Sequence, residues 1–67
     1  MMKLSLKAAR VNAGLLQREV ADDLGVSRTI VIRWEAGKVK PKDAHLDQML
    51  ALYGVSRDDI FLPTAST

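Results

Sequence analysis

The sequence predicts an all-α fold, a compact bundle of four to five short helices. Three observations lead there. Apolar residues recur three and four positions apart in separate stretches, the period of an amphipathic helix. Cap-forming residues, Ser5, Ser27, Asp43 and Ser56, stand before several of these stretches. Gly14, Gly25, Gly37 and Gly54 stand at their ends. No stretch reads as a strand, an internal repeat or a low-complexity tract.

The chain of 67 residues is read as one small domain, residues 1–67. A domain of this size buries only roughly 60% of its unfolded surface, so its stability margin is thin. It has no cysteine and therefore no disulfide or thiolate metal site. Its apolar runs fall far short of the roughly 20 residues a membrane helix needs, and no segment resembles a signal peptide. The expectation is a cytoplasmic protein with no membrane partner.

Met1 to Leu4 reads as an extended lead-in. Ser5 caps a first helix over residues 6–13, in which Leu6, Ala9, Arg10 and Ala13 recur at helical spacing. Residues 17–24 form the second helix, with Val20, Ala21 and Leu24 on its inner face. Ala21 is small enough for a close helix crossing, and Gly25 and Val26 make the turn. Leu16 stands where a Ser or Thr would cap this helix, a loss of about 1 kcal/mol. Ser27 caps the third helix, residues 28–35, whose Val31 and Trp34 face inward. Ile30, Val31 and Ile32 are β-branched in succession, unfavourable for an isolated helix, so packing must hold it. Only Val31 and Trp34 fit one inner face, which leaves one of Ile30 and Ile32 exposed. Asp43 is expected to cap a fourth helix, residues 44–53, striped by Leu46, Met49, Leu50 and Tyr53. Ser56 and Asp59 resemble a capping box opening a fifth helix over residues 57–61. Pro63 ends it, and residues 63–67 are a polar tail expected to fray.

The net charge of +2 conceals an asymmetry. Residues 1–42 carry nine Lys/Arg against four Asp/Glu, a balance of +5. Residues 43–67 carry one Arg against four Asp, a balance of −3. A basic surface attracts polyanions, and an acidic one elsewhere orients the approach. Charge alone favours a merely solvated surface over a nucleic-acid partner.

The segment QREVADDLGVSRTIVIRWEAG, residues 17–37, holds Gln17, Ala21, Gly25, Val31 and Trp34 at the spacing of a helix-turn-helix. With GLLQREVADDLGVS, WEAGKVKP and LYGVSRDDIF, the chain resembles the Cro/C1-type, or XRE-like, helix-turn-helix family over about residues 5–62. The resemblance implies a lambda-repressor-like DNA-binding domain without a sheet. It implies that the helix at 28–35 enters the major groove of duplex DNA. Arg28, Thr29, Ile32 and Arg33 match the positions that read base edges in the family. Arginine can donate twice to guanine O6 and N7, and Thr and Ile can meet a thymine methyl. Gln17, Ser27, Lys38 and Lys40 match positions placed against phosphate; a helix N-terminus binds anions, and lysines add affinity without sequence information. Ile30 stands where the family more often has Ser or Thr, and Lys42 is a weaker candidate beside Asp43. Arg10 and Glu35 match a structural ion pair that holds the recognition helix against the first helix.

The expected function is that of a small Cro-like or short repressor, binding a palindromic operator as a weak homodimer that DNA strengthens. Ile60, Phe61 and Leu62 are expected to be exposed and to supply the dimer contact. No cofactor, metal or small-molecule ligand is expected. Catalysis finds little support: His45 stands alone and is expected to be exposed, and Asp58 and Asp59 are adjacent and cannot both face one substrate. The alternative is a protein-interaction module, such as an antitoxin or a phage protein that binds a repressor. Gln17, Arg28 and Arg33 argue against it, since such a module has no use for them.

Overall fold

The computed structural model, which describes residues 3–62, shows four helices, and a serine hydroxyl closes the first turn of two of them. Ser5 Oγ accepts from the Ala8 N–H at 3.0 Å and opens α1, Leu6–Asn12. This helix ends one residue before the expected limit, with Ala13 as its C-cap. Leu16 precedes α2, Gln17–Leu24, and has no side chain with which to cap it. Glu19 supplies the other half of a capping box: its carboxylate accepts from the Leu16 N–H at 2.8 Å. Ser27 Oγ accepts from the Ile30 N–H at 3.2 Å and opens α3, Arg28–Glu35.

Two expectations about the second half are corrected. Asp43 is not a cap but the first residue of α4, Asp43–Tyr53; Lys42 holds the cap position without a side-chain bond. Asp43 instead places negative charge in the first turn, where the helix dipole favours it. The fifth helix over residues 57–61 does not form. A single 3₁₀ turn, Arg57–Asp59, stands there, and Asp59 accepts from the Ser56 N–H at 3.0 Å. These bonds also lower the Asp59 pKa, the backbone N–H of Ser56 first and its hydroxyl second. Ile60 then turns extended, with φ −118°. The reason is a better partner for the backbone. Leu4 donates to the Asp59 carbonyl at 2.8 Å and accepts from the Phe61 N–H at 3.0 Å, an isolated parallel bridge between Leu4 and Ile60. Ile60 is thereby buried, while Phe61 is exposed and Leu62 half-buried. The expected apolar triplet is thus not wholly a surface. The expected tail, residues 63–67, and its Pro63 stop lie outside the described residues, as do Met1 and Met2 of the lead-in.

Ala9, Leu6, Val20, Ala21, Leu24, Val31, Trp34, Leu46, Met49, Leu50, Tyr53 and Ile60 form one core. The faces expected of α2, α3 and α4 are the ones buried. The widest interhelical contact is between α2 and α3, where Ala21 is buried. Gly25 takes φ +71° between them, and the Val26 N–H returns to the Ala21 carbonyl at 3.0 Å. A residue with a side chain at Gly25 would be strained by that dihedral alone. Val26 packs against the core from inside the turn. Ile30 is half-buried on the core edge and Ile32 is exposed, as a single inner face requires. His45 is half-buried rather than exposed. Its ring lies 5.3 Å from that of Trp34, tilted by 42°, because its place in the first turn of α4 sets it over the end of α3. No described helix is long and apolar enough to cross a membrane.

Candidate DNA-binding surface

Arg28, Thr29, Ile32 and Arg33 are all exposed, on the side of α3 left over once Val31 and Trp34 are buried. Ile32 keeps 41% of its surface in water. That exposure is unfavourable for an isolated isoleucine, and an apolar partner would remove it. Ser27 is exposed at the start of the same helix with its hydroxyl already used as the cap. Lys38 and Lys40 are exposed in the loop after α3, on either side of exposed Val39. This loop leaves the helix by a tight return at Gly37, φ +77°, with the Lys38 N–H on the Arg33 carbonyl at 3.0 Å.

The charges of this face are not neutralised from within. Among the described residues, Arg28, Arg33, Lys38 and Lys40 take part in no ion pair. Arg57, the one basic residue of the acidic half, is treated differently. It pairs with Asp47 at 2.9 Å and Asp43 at 3.6 Å, and the hydrogen bond to Asp47 is the main cause that raises its pKa. The structure therefore leaves the positive charge of α3 and its following loop open and closes that of Arg57.

Behind α3 lies a connected polar group. Arg10 Nε donates to Glu35 Oε2 at 2.7 Å, and its Nη2 to Glu35 Oε1 at 3.3 Å. Arg10 Nη1 donates to the Leu15 carbonyl at 2.8 Å, in the turn between α1 and α2. Both side chains are nearly closed to water, at 9% and 7% exposure. One guanidinium thus ties α1, the following turn and the last residue of α3. Gln17 joins the same group, its Nε2 donating to Glu35 Oε1 at 3.0 Å. The sequence placed Gln17 toward phosphate; the structure places it half-buried at the edge of the surface, with one amide proton on Glu35.

Two residues escaped the sequence reading. Arg18 borders an open concavity of about 300 Å³ with Gln17, Arg28, Arg10 and Leu16. Lys7 borders another, of about 250 Å³, with Gln17, Ile32, Glu35 and Ala36. Both are exposed basic residues beside the start of α2. Arg18 follows Gln17 in α2, whereas Lys7 comes to this place only through the packing of α1 against α3, which no local pattern announces. Among the described residues no group of His, Cys, Asp and Glu is arranged to hold a metal ion.

A helix-turn-helix family model matches residues 6–60. An uncharacterized HTH-type transcriptional regulator of Methanocaldococcus jannaschii is 38% identical over 61 residues, spanning 91% of this chain and 92% of that protein. The two agree with the buried α2–turn–α3 unit and its exposed basic face, and the chain belongs to the XRE/Cro-like helix-turn-helix family.

Proposed function

We propose that this chain is a DNA-binding transcriptional regulator that reads duplex DNA with α3 in the major groove. The observation that carries the reading is the unneutralised face of Arg28, Thr29, Ile32 and Arg33, set on a helix whose other side is locked into the core. Arg28 and Arg33 donate to base edges, and Thr29 and Ile32 meet thymine methyls. Gln17, Ser27, Lys38 and Lys40 hold the sugar-phosphate backbone and set the register. The family and its relative support regulation rather than the protein-interaction alternative. The role is a non-enzymatic one, exercised in the cytoplasm as a repressor and without a small-molecule ligand.

The chain acts as two copies on a palindromic operator. Its longest dimension is 30 Å, close to the roughly 34 Å between half-sites one helical turn apart. Copies one turn apart on one face of the duplex come close enough to meet where their long axes lie along it. Phe61 and Leu62 are the apolar residues left for that contact, since Ile60 is buried. Selection of bound sites from random duplexes tests the whole reading. The expected result is an inverted repeat with half-site centres about one turn apart. Recovery of no sequence preference would overturn specific reading, and recovery of single half-sites at full affinity would overturn the dimer.

A further inference from the structure

We infer that Glu35 is a positioning residue for DNA binding, acting through Gln17, a role that rests on the DNA reading above. Gln17 and Glu35 are 18 residues apart and on different helices, yet Gln17 Nε2 lies 3.0 Å from Glu35 Oε1. A carboxylate only accepts hydrogen bonds, so the amide must turn its NH₂ toward it. That removes the two-fold ambiguity of a glutamine side chain. One N–H is spent on Glu35, which leaves the amide a second N–H at the first residue of α2, and Gln17 borders a concavity together with Arg18 and Arg28. Glu35 in turn cannot swing away, because Arg10 holds both of its oxygens at 2.7 and 3.3 Å. The ion pair therefore does more than join α1 to α3. It fixes the direction of the donor that α2 offers to a phosphate, so a rotamer otherwise lost on binding is already settled.

The test is a double-mutant cycle read as duplex affinity. One arm is Gln17→Ala. The other is Arg10→Met with Glu35→Leu, which removes one charge of each sign together and avoids leaving either buried alone. In the native background Gln17→Ala is expected to weaken binding to a selected operator about tenfold, the scale of one lost charge-assisted bond. In the paired background it is expected to cost less than about twofold, because Gln17 is no longer aimed. A purely structural pair would change melting temperature and leave the Gln17 effect at its full size, and that result would overturn the role. In the unmutated protein, without DNA, the Gln17 side-chain amide protons are expected to be shifted and slow to exchange by NMR. Values of a free glutamine would overturn the inference whatever the variants do. Absence of binding to any selected duplex would overturn the DNA reading, whereas binding with equal losses in both backgrounds would overturn this role alone.

Discussion

Arg10 and Tyr53 are the residues whose burial has the sharpest consequences. Removing one partner of a buried ion pair strands the other charge, at a cost of about 3–5 kcal/mol. Arg10→Met is therefore expected to lower stability severely in urea unfolding. The paired Arg10→Met, Glu35→Leu variant is expected to remain near the native value. A single variant as stable as the native chain would mean that the pair is not closed to water. Tyr53 has a buried hydroxyl with no hydrogen-bond partner among the described residues. Burial first, and the Glu35 charge second, push its pKa up to about 12, with Arg10 acting in the opposite sense. The folded state thus holds the phenol proton more tightly than the unfolded chain, whose tyrosine titrates near 10. The associated stability is complete below pH 10 and is lost as the pH rises from about 10 to 12. Tyr53→Phe is expected to be neutral or slightly stabilising at pH 7, because the orphan hydroxyl is removed. It should also flatten the fall in melting temperature across that alkaline window.

At the scale of the element, α2 and α3 reach helicity by different means. Helix α3 has a true cap in Ser27 but four β-branched residues in a row, Thr29 to Ile32, so its strength comes from Val31 and Trp34 in the core. Ser27→Ala is expected to cost about 1 kcal/mol. Helix α2 lacks the cap side chain and keeps only the reciprocal bond from Glu19. Leu16 is 52% exposed and its backbone already has the extended conformation of a cap, φ −87° and ψ 155°. Leu16→Thr is therefore expected to stabilise the fold by about 0.5–1 kcal/mol, measured as a higher denaturation midpoint at unchanged slope. A decrease would show that Leu16 is held by an apolar contact of its own.

Over the whole molecule, charge is sorted. The acidic half closes its one arginine with Asp43 and Asp47, while in the basic half only Arg10 is paired, with Glu35, and Arg28, Arg33, Lys38 and Lys40 are in no ion pair among the described residues. Binding to DNA should therefore weaken steeply with salt as counterions are released. Lys40→Ala is expected to weaken all duplexes about equally and to shrink the salt slope by about 1. Arg33→Ala is expected to cost about 1–3 kcal/mol on the selected operator and much less on random duplex. Equal losses on both would reassign Arg33 to the backbone. A salt-independent affinity would remove the phosphate contacts from the reading.

Helix periods, glycine ends and the inner faces of α2, α3 and α4 are written locally, because a period of three to four residues needs no distant partner. That is why Val20, Ala21, Leu24, Val31 and Trp34 were legible as core, and Ile32 as one of two candidates for exposure. The membership of Arg10 and Glu35 in a pair, 25 residues apart, came from family resemblance and not from any local pattern. Tertiary structure alone decided the rest. It drew Gln17 onto Glu35, laid His45 on Trp34, set Lys7 beside Gln17 and brought Arg18 and Arg28 to one concavity. It also overruled a helix at residues 57–61, because Leu4, from the other end of the chain, offered the backbone of residues 59–61 its donor and acceptor. A local pattern states what a segment prefers. Which preference prevails depends on the groups that the fold brings within hydrogen-bond reach.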